Sequence, residues 1–341
     1  MVGRFWCLVA AIVWLLCAGT GIVFAQEPFF KGKVIRIVVG FSAGGGFDTY
    51  SRVLARHIGK HIPGNPTVIV ENMAGAGSLI AANHVYKAAK PDGLTIGNWN
   101  GGLILGQLFG LPGIEFDARK FGWIGSPLKL TTVIALSKAT GVKTMKQWIE
   151  AKKPVQIGMT APGSNLYDVP KILHAAIGLP MNFVLGYKGF DEIRLAIEAG
   201  EVDGAAPAWP SARATWGRAL ESGDVIIVVQ TGAKPSPYIP NVPLATAFAR
   251  DEEGRQLIRA GSDAISDINR AYSLPPATPS ERVQLLRKAF QSAMKDPELL
   301  EQAKKSKLDV EPITGEEVEA VVADLFKLSP AVVAKLKEAL K

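Results

Sequence analysis

Cysteine is nearly absent from this chain. Only Cys7 and Cys17 occur among 341 residues, and both fall within an N-terminal segment that reads as a targeting sequence. Arg4 gives that segment a basic start, an apolar run follows from Phe5 to Leu16, and Val23-Phe24-Ala25 closes it with small residues placed for cleavage. Cleavage after Ala25 and export to the periplasm are expected. An uncleaved anchor is the alternative, although the apolar run is short for one. Leu16 precedes Cys17 where a lipoprotein signal calls for a small residue. A mature chain without cysteine excludes disulfides, a cysteine nucleophile and cysteine-held metals together. Histidine is scarce too, at four residues, which limits acid–base and metal chemistry. His57 and His61 share a helical spacing, but no third ligand accompanies them, so no metal site and no cofactor are expected. After the first segment no run of apolar residues is long enough to span a membrane. The net charge of +7 comes from scattered bases, such as Lys152-Lys153 and Lys304-Lys305, without the patch or stripe that nucleic acid requires. No nucleic-acid partner is expected, and the excess charge is at most a hint of an anionic ligand.

What the chain does have is enough apolar residue, 48%, to bury the cores of two domains. Strand-like and helix-like patterns alternate along it. VIRIVVG (34–40) is a β-branched run suited to a buried strand. From about Asp48 to His61 the residues Tyr50, Val53, Leu54, Ile58 and Ile62 repeat at helical spacing, with Arg52, Arg56 and Lys60 opposite. TVIVEN and LTIGNW read as the next strands, with a helix ending near Ala89 between them. A second run of the same kind begins near Thr131, with strands in TTVIALS, PVQIGMT, MNFVLGY, EVDGAA and DVIIVVQ. This rhythm implies an α/β fold of βαβ units on parallel sheets. The proline-rich stretch 235–243 reads as a crossing connection, and the chain beyond it turns mostly helical, at 280–294 and 316–341. The expected division is a signal segment at 1–25, one lobe of 26–127 plus 236–341, and a second lobe of 128–235.

The segment IRIVVGFSAGGGFDTYSRVLARH is strand, glycine-rich loop, helix. Glycine lets backbone amides approach a ligand closely, and a helix start favours an anion. Asp48 stands where it would cap that helix. Three enzyme motifs overlap here. Gly40-Phe41-Ser42-Ala43-Gly44 matches the nucleophile elbow G-x-S-x-G, but no earlier strand supplies an oxyanion hole and the last histidine, His174, lies mid-chain on a helix. Gly44-Gly45-Gly46 followed by Glu71 imitates a dinucleotide fingerprint, yet position 49 is threonine where the third glycine belongs. No lysine follows the glycines, so the phosphate-binding loop of nucleotide hydrolases fails as well. The tryptophans at 123, 148, 209 and 216 read as packing groups, with Trp209 the one that follows a strand end.

These residues resemble the receptors of the tripartite tricarboxylate transporters, the Bug or TctC family. The family opens on a pattern like I-R-I/L-V-V-P-F-x-P-G-G-x-x-D-x-x-x-R, and here Gly44, Gly45, Asp48 and Arg52 stand in register with it. VIVENMAGAGSLIAANHVYKAAKPDGLTI, APGSNLY, GYKGFDEIRLAIEAGEVDGA, NVPLATAF, LPPATP and MKDPELLEQAKK continue the resemblance in order, from Val34 to Thr314. It implies a type II periplasmic-binding fold, two lobes with a hinge and a ligand cleft between them. In the family, backbone amides of two opposed loops and bound water hold a carboxylate, usually without an arginine. By position those loops are Phe41–Asp48, contributing Phe41, Ala43, Gly44, Gly45, Phe47 and Asp48, and Ala161–Asn165, contributing Ala161, Gly163, Ser164 and Asn165. Strand ends near Asn98, Tyr187 and Pro207 would add contacts. Ala43 departs from the family's proline, Gly186 from another, Phe47 from a small hydroxyl residue and Tyr167 from a histidine. Phe47 and Tyr167 together would make the cleft more apolar.

The resulting expectation is a monomeric, non-enzymatic receptor with no catalytic residue. It would bind a small organic acid whose carboxylate is held by amides and whose remainder is apolar or aromatic, and pass it to integral-membrane permease subunits. A receptor that senses the ligand for signalling is the first alternative, and an esterase built on Ser42 the second.

Overall fold

A computed structural model describes residues 27–341 apart from residue 161. The expected signal segment and Ala161 lie outside the described residues. In chain order the strands are β1 (Val34–Val39), β2 (Thr67–Asn72), β3 (Thr95–Asn98), β4 (Gly122–Ser126), β5 (Val133–Ser137), β6 (Val155–Gly158), β7 (Met181–Val184), β8 (Gly204–Ala205), β9 (Val225–Gln230), β10 (Tyr272–Leu274) and β11 (Ile313–Thr314). They form two sheets, ordered β11-β4-β10-β3-β1-β2 and β7-β6-β8-β5-β9. The fold is therefore α/β with two lobes, each built on its own sheet.

The sheets are mixed, where the sequence rhythm implied parallel ones. β1 runs parallel to β2 and β3, and β6 parallel to β7 and β8. β10 is antiparallel to both β3 and β4, and β5 is antiparallel to both β8 and β9. β5 is the first strand after the chain leaves the first sheet, and β10 the first after it returns. Each runs opposite to the strands on both sides of it, and β11 likewise runs antiparallel to β4. The carboxyl ends of β1, β3 and β6 remain at the edge that the crossings bridge, where open α/β sheets bind ligands.

Local chemistry explains the first unit. In β1, Ile35, Ile37 and Val39 are fully buried and Val38 is nearly so. Only Val34 and Arg36, at the entry, are exposed. Helix Gly46–Ile58 turns Tyr50, Val53, Leu54 and Ile58 inward, as its spacing predicts. Val53, Leu54 and Ile58 join Leu286 and Phe290 of helix Ser280–Ala293 in one core. Each such side chain contributes on the order of 2 kcal/mol by leaving water.

The chain beyond 235, expected to rejoin the first lobe at once, stays against the second. The Gln230 side chain donates to the carbonyl oxygens of Ile239 and Val242, at 3.0 and 2.6 Å. The Arg250 amide donates to Ala176, and Gly254 lies so close to the Ala176 carbonyl that a Cβ would clash. Helix Glu252–Ile258 thus packs on helix Asn165–Ile177. The C-terminal part divides in the same way. Helix Gly315–Leu325 lies on β4, while helix Pro330–Ala339 packs on helices 165–177 and 252–258 of the other lobe. The single helix expected over 316–341 is broken where Ser329 caps a new one and Pro330 occupies its first turn.

Candidate functional site

The glycine-rich loop leaves the end of β1 at Gly40. Its amide donates to the Asn98 carbonyl at 2.9 Å. A Cβ on Gly40 would sit 2.3 Å from that of Ser78, so no larger residue fits there. Gly44 has φ +87, a backbone angle that glycine takes freely. Residues 42–46 are exposed, and Gly45 caps helix 46–58 without any side-chain bond. Asp48 therefore is not the N-cap that its position suggested. It lies in the first turn, 2% exposed, and folds back: Oδ2 accepts from the Gly44 amide at 2.8 Å and from Arg52 Nε at 2.9 Å. Oδ1 accepts from Asn72, which also donates to the Phe41 carbonyl. Burial alone would raise the Asp48 carboxyl, but the bonds from Arg52, Gly44 and Asn72 outweigh it and hold it down at about 2. The loop is thereby fixed from beneath by a permanent charge whose oxygens are already taken.

The second lobe repeats the device. Past the end of β6, Gly163 has φ +86 and its amide donates to Asp168 Oδ1 at 3.0 Å, in the first turn of helix 165–177. Thr160 and Ser164 share a 2.6 Å hydroxyl contact, and Asn165 donates to the Ala206 carbonyl at 2.9 Å. Asp168 has no guanidinium, so burial prevails over the Gly163 amide and pushes its carboxyl up to about 6. Each loop presents a glycine turn and the amides of a helix start, where an anion is favoured.

The remaining sequence candidates fall into different roles. Phe41 and Phe47 stack with ring centroids 4.3 Å apart, beside the exposed Ala43 and Gly45. Asn98 is 1% exposed and its amide is occupied by the carbonyls of Arg270 and Ala271, at 2.9 and 3.2 Å. Pro207 is buried and its carbonyl pairs with the Val133 amide. Tyr187 is half-buried against Gly158. Tyr167, expected to line the cleft, does not. It is 3% exposed, and its hydroxyl donates to the main-chain oxygen of Lys341 at 3.0 Å. It anchors the C-terminal helix. Trp123, Trp148 and Trp216 are core residues, while Trp209 is half-buried with Nε1 unpartnered.

Sequence reasoning missed the groups that distant segments bring to the first loop. Tyr50 donates from its hydroxyl to the Asp309 carbonyl at 2.7 Å, and the Asp309 carboxylate accepts from Arg213 of the second lobe at 2.8 Å. Arg270, just before β10, places its guanidinium over the rings of Phe47 and Tyr50. An arginine so far along the chain carries no local signal of its place.

Three of the four histidines are engaged away from Ser42. Among the described residues no histidine contacts Ser42. His57 bonds Gln302, His61 bonds Asp296, and His174 bonds the Leu179 carbonyl. His57, Asp296 and Glu298 cluster at ligand distance from one another, but the Lys60 ammonium sits on both carboxylates, at 2.6 and 2.7 Å. A cavity of about 420 Å3 lies elsewhere, among Gly232, Asp263, Val321 and Leu325, and shares no residue with either loop.

Known proteins place this arrangement. The chain is 28% identical over 324 residues to a protein named for the gbd 5' region of Cupriavidus necator, covering 92% of this chain and 90% of the relative. A solute-binding protein of the TctC type from Polaromonas superposes with a TM-score of 0.71 at 18% identity, covering 90% of this chain and 98% of that one. MatC from Rhodopseudomonas palustris, solved with bound malate, superposes with a TM-score of 0.57 at 20% identity, covering 91% and 99%. Those two structures share the fold, which is that of periplasmic binding proteins. Residues 51–338 match the family described as the tripartite tricarboxylate transporter family receptor, and the chain belongs to that family.

Proposed function

We propose that this chain is a periplasmic receptor that holds a small organic carboxylate between its two lobes and delivers it to the membrane permease of a tripartite transporter. Paired loops carry the reading. Each stands at the carboxyl end of a parallel strand, turns on a glycine at left-handed φ, and opens a 13-residue helix whose first-turn carboxylate is folded back onto the glycine amide. The main-chain amides that follow Gly44 and Gly163, whose own amides are engaged by Asp48 and Asp168, would hold the ligand, with Phe41 and Phe47 as an apolar wall. Asp48, Asn98 and Pro207 would support those elements from behind. The malate held by MatC makes dicarboxylates the first compounds to try. Export with cleavage after Ala25 and a monomeric mature chain belong to the same reading.

A thermal-shift screen of the mature protein against organic acids and their uncharged amides tests it. A ligand that binds only the folded state raises the melting temperature with concentration. The acids should do so and the amides should not. A screen in which no acid stabilises the protein would refute the reading.

A further inference from the structure

Arg270 is a cation in a place that disfavours one. Its backbone is pinned by the Asn98 amide, which bonds the carbonyls of Arg270 and Ala271. Its guanidinium carbon lies 5.3 Å from the centre of the Phe47 ring and 5.1 Å from that of Tyr50. Its Nη2 reaches Gly46 so closely that a Cβ there would come within 2.7 Å. The charge therefore rests at the start of helix 46–58, where the helix dipole repels cations. Nε is buried with no hydrogen-bond partner.

Among the described residues no carboxylate pairs with Arg270. Asp48, the acid on the loop helix, is engaged by Arg52, Asn72 and Gly44, and Asp309 pairs through Oδ1 with Arg213 while its Oδ2 is bonded to neither Arg213 nor Arg270. Burial pushes up both phenols that face Arg270, Tyr50 to about 12 and Tyr272 further still, so neither supplies an anion near neutral pH. A guanidinium does not shed its proton in a protein. Desolvation, the helix dipole and the missing counter-charge thus all act against this residue, and the two rings offset only part of that. A bound anion relieves all three.

We propose that Arg270 is the charge partner of the ligand, its guanidinium donating to one carboxylate while the amides of the glycine-rich loop donate to the same group. This rests on the receptor reading and deepens it. The seat expected from family resemblance is made of amides and water, whereas here a fixed cation completes it. Phe47 acquires a purpose as well: it is the platform that presents the guanidinium, and Gly46 leaves the space in which it lies. The ligand class is a carboxylate with an apolar flank beside that charge.

Titration calorimetry with malate, adipate and benzoate, on wild type, Arg270→Gln and Arg270→Lys, tests the proposal. Affinity for whichever acid binds wild type should fall at least about tenfold in Arg270→Gln, with part retained in Arg270→Lys, as loss of a charge-assisted pair requires. The ligand-free melting temperature supplies a second reading. Arg270→Gln should melt no lower than wild type, because it removes an unpaired buried charge. A purely structural arginine would give a lower melting temperature in both variants and unchanged affinity in any that fold. Undiminished affinity in Arg270→Gln would overturn the role of Arg270 and leave the receptor reading standing. If none of the acids binds wild type, both are overturned.

Discussion

Replacing Asp263 by asparagine should stabilise the protein above neutral pH and leave it unchanged in acid. Asp263 is 4% exposed and borders the 420 Å3 cavity; one oxygen accepts from the Gly232 amide at 2.8 Å, and the other is buried without a partner. Burial pushes the carboxyl up to about 7, against the Gly232 amide; nearby Asp267 raises it further and Arg259 lowers it. A carboxyl whose folded pKa lies above its unfolded value of 3.8 weakens the fold when it ionises. Below pH 4 both states hold the proton and no penalty exists. Between about pH 4 and 7 the folded state alone keeps it, and stability falls by about 1.4 kcal/mol per pH unit. Above pH 7 the penalty is complete, at most about 4 kcal/mol for a shift of roughly three units. Relaxation and water penetration around a residue that borders a cavity reduce that figure, so about 2 kcal/mol is the working expectation. Asparagine keeps the acceptor for Gly232 and never ionises. Urea unfolding of both proteins between pH 4 and 8 should show a difference that starts near zero, grows in favour of Asp263→Asn and levels above pH 7. A difference independent of pH would refute the reasoning.

Three further outcomes follow from the site. Asp48→Ala removes the acceptor for Gly44, Arg52 and Asn72 and should cost about 2–3 kcal/mol at pH 7. Because its folded pKa is lowered to about 2, the wild-type contribution is present above pH 4 and lost as pH falls toward 2, so urea unfolding should show the variant's deficit shrinking in acid. Tyr167→Phe removes the bond to Lys341 and should lower stability by about 1 kcal/mol while leaving ligand affinity unchanged in calorimetry. Arg213→Ala cuts the pair to Asp309 that joins the lobes. Its worth of about 1 kcal/mol shifts the closed-to-open ratio roughly fivefold, and small-angle scattering of the ligand-free protein should show a larger radius of gyration.

The units with strong local pattern were legible in the sequence. β1, β2, β3 and helix 46–58 declare themselves by β-branched runs, turn residues and a 3.6-residue stripe. β4, β10 and β11 do not. Gly122 and Gly125 dilute the first, and the other two are three and two residues long and owe their existence to partners elsewhere in the chain. The helices between 252 and 268 were not foreseen either, since the first forms against helix 165–177 and the last against helix 315–325, and not from a repeating pattern of their own. The glycine-rich loop was readable because strand, glycines and helix are contiguous. Tyr167 was misplaced because its burial depends on a C-terminal helix docking from the far end of the chain. Arg270 was invisible for the same reason: Asn98, Phe47 and Tyr50 define its position, and none is near it in sequence.

The central claim is that one carboxylate is held by both loops at once. Amide NMR of the labelled mature protein, titrated with malate or adipate, tests it most directly. Amide signals of residues 44–47 and 163–165 should shift together with a single midpoint, and the uncharged diamide should move neither set. Shifts confined to one loop, or centred on the cavity around Asp263, would contradict it.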